Sequence, residues 1–114
     1  MKKVIGRFYF KLSENGNLLG EYSNEGSTEC DVEAAKRIPA VTSEATPVNL
    51  FEGEYTSTWT EGKEVVSATL KITRRSNAVG IFSVIWCKGG RDLFTGGAMM
   101  VDRILIGNYE SKEQ

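Results

Sequence analysis

Residues 50–60 read LFEGEYTSTWT, and residues 65–73 read VVSATLKIT. In the first stretch Phe51, Tyr55 and Trp59 fall on one face of an extended chain, because side chains alternate between the two faces of a strand. The second stretch alternates apolar and polar residues in the same way, and a Glu-Gly-Lys turn joins the two. Together they predict an antiparallel hairpin with one buried face.

The same alternation extends over most of the chain. Further strands are predicted at 3–12, 18–23, 79–87, 92–99 and 103–110. One flat sheet cannot cover the apolar faces of so many strands, so the sheet must close or pack against another layer. We therefore predict an all-β fold, an antiparallel meander that closes into a small calycin-like barrel or half-barrel of about seven to eight strands.

Residues 24–49 interrupt the pattern. Thr28 and Asp31 are spaced like a helix capping box, and a proline follows eight residues after Asp31. We therefore predict one short helix at 29–38. The segment 40–47 is rich in Thr, Ser, Ala and Pro, which is typical of a crossing loop or an irregular edge strand.

Length and composition indicate one globular domain over residues 1–114, with 24–49 as a crossover segment and 111–114 as a flexible tail. The net charge of −1, with basic residues dispersed along the chain, argues against a nucleic-acid partner. Charged residues interrupt the apolar start that a signal peptide would need, and no run of eighteen apolar residues occurs. The expectation is a cytoplasmic protein without a membrane span.

The supply of catalytic and metal-binding side chains is limited. The chain contains no histidine, which excludes Ser–His and Cys–His nucleophile pairs. Only Cys30 and Cys87 could supply thiolates, too few for a zinc site. We therefore expect no enzymatic activity, no metal and no cofactor. The two cysteines are predicted to be buried or incidental thiols, with a disulfide between them as the alternative.

A Gly-x-Tyr motif occurs three times, beginning at Gly20, Gly53 and Gly107. A glycine inside a strand permits sharp coiling, and an aromatic residue two positions away can cover it. The spacing between the three motifs is unequal, so they do not mark a solenoid repeat. The motifs therefore favour a strongly curved sheet.

The segment 51–109 resembles the small meander barrels of the calycin type, the lipocalin and avidin relatives. It also resembles a class of small uncharacterised bacterial proteins, through the motifs Gly53 to Trp59, Phe82 to Trp86 and Phe94 to Gly97. The resemblance implies a closed barrel. Lipocalins carry Gly-x-Trp where this chain has Gly53-Glu54-Tyr55, and the avidin residues that contact biotin have no counterpart. No binding residue is therefore carried over from either family.

Aromatic side chains are the candidate ligand-binding residues. A cup for one small apolar or planar molecule could be lined by Phe51, Tyr55, Trp59, Phe82 and Trp86. The same rings could instead fill the core of a small barrel. Glu52 and Glu54 alternate with these rings and are expected to face water, the alternative being a pair of carboxylates inside the barrel.

Two functions follow from this pattern. The first is a non-enzymatic barrel that binds a small apolar molecule. The alternative is an interaction module that self-associates through its sheet faces or edges, as a homodimer for example. The segments 3–12 and 79–87 favour self-association, because each carries apolar residues on both faces.

Overall fold

The computed structural model describes residues 3–38, 51–75 and 79–112. The described chain forms eight strands: β1 (Ile5–Leu12), β2 (Leu18–Asn24), β3 (Asp31–Ile38), β4 (Gly53–Glu61), β5 (Glu64–Arg74), β6 (Ile81–Lys88), β7 (Arg91–Val101) and β8 (Ile104–Ser111). Each strand pairs antiparallel with the next, and β8 pairs with β1, so the sheet closes into a barrel. The prediction of an all-β meander barrel is confirmed. In the described ranges no helix is long and apolar enough to cross a membrane.

The barrel closes along β1 and β8. Ile5 lies opposite Glu110 near one end of this seam. Beyond the strand, the backbone N–H of Val4 donates to the Ser111 hydroxyl and the N–H of Ser111 donates to the Val4 carbonyl, both at 2.8 Å. Closure leaves no unpaired edge among the eight described strands, and such an edge is the usual site of strand addition by another chain.

The inward face follows the predicted alternation. Tyr55 in β4, Leu70 in β5 and Phe82 in β6 are all fully buried. The outward neighbours Glu54 and Lys71 are exposed. The core runs the length of the barrel and comprises Phe8, Phe10, Leu18, Ala35, Phe51, Tyr55, Trp59, Ala68, Leu70, Ile72, Phe82, Val84, Trp86, Ala98, Leu105 and Tyr109.

The predicted helix at 29–38 is wrong, because Asp31–Ile38 form strand β3. The capping-box spacing is a local signal, but β3 pairs with β2 on one side and β4 on the other. Without β3 the barrel would be open at this point, so tertiary pairing overrides the weak local helix preference. The rest of the predicted crossover, 39–49, lies outside the described residues, as does the end of the predicted tail, 113–114.

One end of the barrel is filled by side chains. The Tyr55 hydroxyl donates to the Phe51 carbonyl at 2.7 Å, and both residues are fully buried. The Arg37 guanidinium carbon lies 4.7 Å from the centroid of the Tyr55 ring. Arg37 also donates to the carbonyls of Gly16 at 3.0 Å and Glu52 at 2.9 Å. The side chains of Phe51, Tyr55 and Arg37 therefore occupy this end of the barrel, which we call the filled end.

Candidate functional site

A cavity of about 440 Å³ opens at the opposite end of the barrel, the open end. It lies where β1 and β3 begin and where β2 and β4 end. Five aromatic side chains form its walls: Tyr22, Trp59, Trp86, Phe94 and Tyr109. The other lining residues are Val4, Asn24, Asp31, Glu33, Thr60, Glu61, Gly62 and Ser111. Its volume is within the range of pockets that bind small molecules.

At the rim of the cavity, the polar groups of Tyr22 and Trp59 are hydrogen-bonded within the protein. The Tyr22 hydroxyl donates to the Thr60 carbonyl at 2.7 Å. The Trp59 indole N–H donates to Glu61 Oε2 at 2.9 Å. Because these donors already have partners, the surface that the two rings offer to a ligand is mainly carbon.

The rings of the deeper wall pack edge to face. The Phe94 ring lies 6.4 Å from that of Trp86 at 90°, and 5.5 Å from that of Tyr109 at 87°, measured between centroids. A register shift between Trp86 and Cys87 accompanies this pairing and leaves Phe94 opposite Trp86. The Tyr109 hydroxyl donates to Asn24 Oδ1. These contacts fix the rings against one another, so the wall is formed before any ligand arrives.

Glu33 is a buried carboxyl group at this cavity. Only 4% of the residue is exposed. Its Oε2 accepts hydrogen bonds from the Trp86 indole N–H at 2.7 Å and from the Ser57 hydroxyl. Burial raises the pKa of Glu33, while the two donors act in the opposite direction. A carboxyl group with a perturbed pKa in a cleft marks a candidate binding site.

The two wall tyrosines remain neutral at physiological pH. Burial raises the pKa of Tyr22 to about 12, and the nearby carboxylates of Asp31 and Glu61 add to this effect. Burial also raises the pKa of Tyr109, and nearby acidic groups raise it further.

The cavity has a negative electrostatic environment. Its lining contains three carboxyl groups and, among the residues that the structure describes, no Lys or Arg.

The five aromatic residues selected from the sequence divide between the two ends. Trp59 and Trp86 line the cavity. Phe51, Tyr55 and Phe82 lie at the filled end or deep in the core, each with 0% exposure. The rings of Phe51 and Phe82 pack against each other at 6.2 Å between centroids. The structure thus does not bring all five into one wall, and their role in ligand binding stays a prediction.

Three wall residues and one acid were not selected from the sequence. Tyr22 and Tyr109 belong to Gly-x-Tyr motifs, which predicted a curved sheet but not a cavity wall. Phe94 begins the motif Phe94 to Gly97, which is one of the motifs shared with the small bacterial proteins that this chain resembles. Glu33 had no usable signal, because it lay in the predicted helix.

Glu52 and Glu54, the two carboxylates predicted to face water, do not line the cavity. Glu54 is exposed on the outer surface of β4. Glu52 is half-buried, and its Oε2 accepts a hydrogen bond from the backbone N–H of Arg74 at 3.0 Å.

The described cysteines, Cys30 and Cys87, are free thiols, so the alternative disulfide is not formed. No group of three or more Cys, Asp or Glu side chains within the described ranges could hold a metal ion.

Comparisons with protein-family models, with curated proteins and with solved structures find no match for this chain. The likeness to calycin barrels therefore stands at the level of architecture, a closed barrel of eight antiparallel strands. The cavity must be interpreted from its own chemistry.

We expect Glu33→Gln to remove a pH-dependent loss of stability. A carboxyl group whose pKa is raised by folding stabilises the folded state at low pH. That contribution is lost as the pH rises from about 4.3, the ordinary value for Glu, through the folded-state pKa. The free energy of unfolding of the wild type should therefore fall relative to Glu33→Gln over this window, with a slope of at most about 1.4 kcal/mol per pH unit.

Urea unfolding at a series of pH values measures this difference. The control is Glu54→Gln, which removes a carboxylate from the outside of β4. Its stability curve should run parallel to that of the wild type. Parallel curves for Glu33→Gln and the wild type would contradict the assignment.

Proposed function

We propose that this protein is a non-enzymatic barrel that binds one compact small molecule with an apolar or planar part. The observation that carries the proposal is the difference between the two ends of the barrel. Side chains fill one end, whereas a cavity of about 440 Å³ between five aromatic rings remains at the other. The interior of an eight-stranded barrel is wide enough for a single small ligand.

The wall side chains are held in place by contacts with one another, which supports ligand binding rather than an incompletely packed core. Trp86, Phe94 and Tyr109 hold one another in edge-to-face contacts. A ligand would therefore find fixed surfaces and would not have to order them, which lowers the cost of binding. Burial of its apolar surface against these rings would supply most of the affinity.

A second candidate function, self-association, is favoured by a row of exposed apolar side chains on the outer surface. In the strand registers Ile81 lies opposite Met99, Met99 opposite Ile106, and Ile106 opposite Tyr9. The row crosses β6, β7, β8 and β1, and each of its members is at least 37% exposed. An apolar row is complementary to itself, so the partner it fits is a second copy of this chain.

Native mass spectrometry of protein purified from its own or a related host tests both candidates. For the binding barrel we expect an excess mass over the chain mass, which disappears on denaturation. Phe94→Ala should retain less of this mass, because it removes part of the cavity wall. Met99→Lys should retain all of it while reducing any dimer, because Met99 lies on the outer row.

A different experimental outcome would contradict each of the two proposals. An intact mass equal to the chain mass, together with no change in melting temperature across a broad ligand panel, would contradict the binding barrel. A monomer at micromolar protein concentration would contradict self-association.

A further inference from the structure

The charged residues that line the cavity are all acidic. Asp31 and Glu33 are alternate residues of β3, and Glu61 ends β4 at the rim. The part of the chain that the structure describes contributes no Lys or Arg to the lining. An anionic ligand would therefore be repelled, and a cationic one attracted.

One oxygen of Glu33 is left for a ligand. Both hydrogen bonds that Glu33 accepts from the described residues end on Oε2. Every fully buried polar side-chain atom of the described residues has a partner. Oε1 accepts no such bond, so it keeps some accessible surface. Since Glu33 lines the cavity, this surface is available to a ligand there. A nearly buried carboxyl oxygen gains from a hydrogen-bond donor, and a charged donor gives the strongest bond.

The donors on Oε2 also prepare the carboxyl group for a cation. Burial raises the pKa of Glu33, and the hydrogen bonds from Ser57 and Trp86 oppose that rise because they stabilise the ionised form. What Glu33 lacks among the described lining residues is a positive counter-charge. A buried carboxylate is stabilised in its ionised form by a positive partner, which a bound cation would supply.

The aromatic walls favour the same ligand charge. Trp59, Trp86 and Tyr109 line the same cavity as Glu33. The faces of Trp and Tyr rings carry negative electrostatic potential and attract ammonium groups, Trp most strongly. The combination of aromatic rings with carboxylates is therefore suited to an organic cation.

We propose that the ligand of this cavity is a small organic cation, an amine or a related nitrogen base. Its protonated nitrogen donates to Glu33 Oε1, and its hydrocarbon part packs between Trp59 and Trp86. This inference rests on the proposed small-molecule function and specifies the class of ligand.

The test uses three probes that share a phenyl ring and differ in charge: phenethylamine, phenethyl alcohol and phenylacetate. The chain has two tryptophans, Trp59 and Trp86, and both line the cavity, so intrinsic fluorescence reports binding directly. At neutral pH phenethylamine should bind at least about tenfold more tightly than phenethyl alcohol. Phenylacetate should bind most weakly.

Glu33→Gln and Glu54→Gln form a matched pair of variants. Each removes one carboxylate at nearly constant volume, one inside the cavity and one on the outer surface of β4. Glu33→Gln should reduce the preference for the amine over the alcohol to about twofold or less, whereas Glu54→Gln should leave it unchanged. Circular dichroism confirms that each variant is folded.

The possible failures are distinguishable. If the alcohol or phenylacetate binds as tightly as the amine, the cation is ruled out and the binding barrel stands. If the amine is preferred but Glu33→Gln keeps the full preference, the role of Glu33 is ruled out. If none of the three probes changes the fluorescence or the melting temperature, the organic cation is contradicted. The proposed function is contradicted as well only if the intact mass equals the chain mass and the broad ligand panel gives no shift.

Discussion

Gly96→Ala is expected to prevent cooperative folding of the barrel, whereas Gly97→Ala, one residue further along β7, should leave its stability nearly unchanged. A Cβ atom at Gly96 would lie 1.8 Å from the carbonyl oxygen of Asn108 in β8. That oxygen belongs to the backbone of the paired strand and cannot retreat without separating β7 from β8. At Gly97 the nearest atom is a terminal nitrogen of Arg75 at 3.1 Å, on a flexible side chain that can move.

Urea unfolding of the two variants measures the contrast. Gly96→Ala should lose more than about 3 kcal/mol or show no cooperative transition, because the clash lies in backbone that cannot repack. Gly97→Ala should stay within about 0.5 kcal/mol of the wild type. Gly20→Ala provides a second case, since its Cβ would lie 1.7 Å from the Tyr9 carbonyl oxygen. Equal unfolding midpoints for Gly96→Ala and Gly97→Ala would contradict this account of the strand contact.

The side-chain alternation was sufficient to predict the barrel, because a strand with one buried face leaves a period of two in the sequence. In β4 the predicted inward residues Tyr55 and Trp59 are buried, and in β6 so are Phe82 and Trp86. Such strands are read correctly because burial and hydrophobicity agree at each position. A shift of one residue would expose the whole apolar set, so their register is strongly determined.

Strand β3 was missed because its pattern is largely inverted, with Ala35 as its one buried apolar residue. Its apolar residues Val32 and Ile38 point outward, with 58% and 46% exposure. Its charged residues Glu33 and Arg37 instead contact the interior, Glu33 at the open end and Arg37 over the Tyr55 ring at the filled end. No periodicity argument places charged residues inside and apolar ones outside, so only the paired neighbours could reveal this strand.

The candidate site was predictable only in part for the same reason. An aromatic residue on an inward face can either fill the core or line a cavity, and alternation does not distinguish the two. Trp59 and Trp86 lie at the open end, while Phe51 and Phe82 pack against each other at 0% exposure. Position along the barrel axis separates them, and that depends on strand stagger, which the sequence does not display.

Phe82→Ala and Phe94→Ala should separate folding from ligand binding. Phe82 is fully buried, so its truncation should leave a cavity in the packed interior and cost about 3–5 kcal/mol of unfolding free energy. Phe94 is half-buried and lines the open end, and its truncation should cost about 1–2 kcal/mol through lost contacts with Trp86 and Tyr109. Urea unfolding gives both values.

Binding should show the opposite order, measured with whichever of phenethylamine and phenethyl alcohol binds the wild type. Phe94→Ala should weaken binding by about tenfold, because it removes a wall that the ligand contacts. Phe82→Ala, measured where it is still folded, should bind like the wild type. If Phe82→Ala weakened binding as much as Phe94→Ala, the ligand would have to reach the filled end. The contrast follows from what each ring touches: Phe82 has protein on all sides and contributes to folding alone, whereas Phe94 leaves part of its surface in the cavity, where a ligand can bury it.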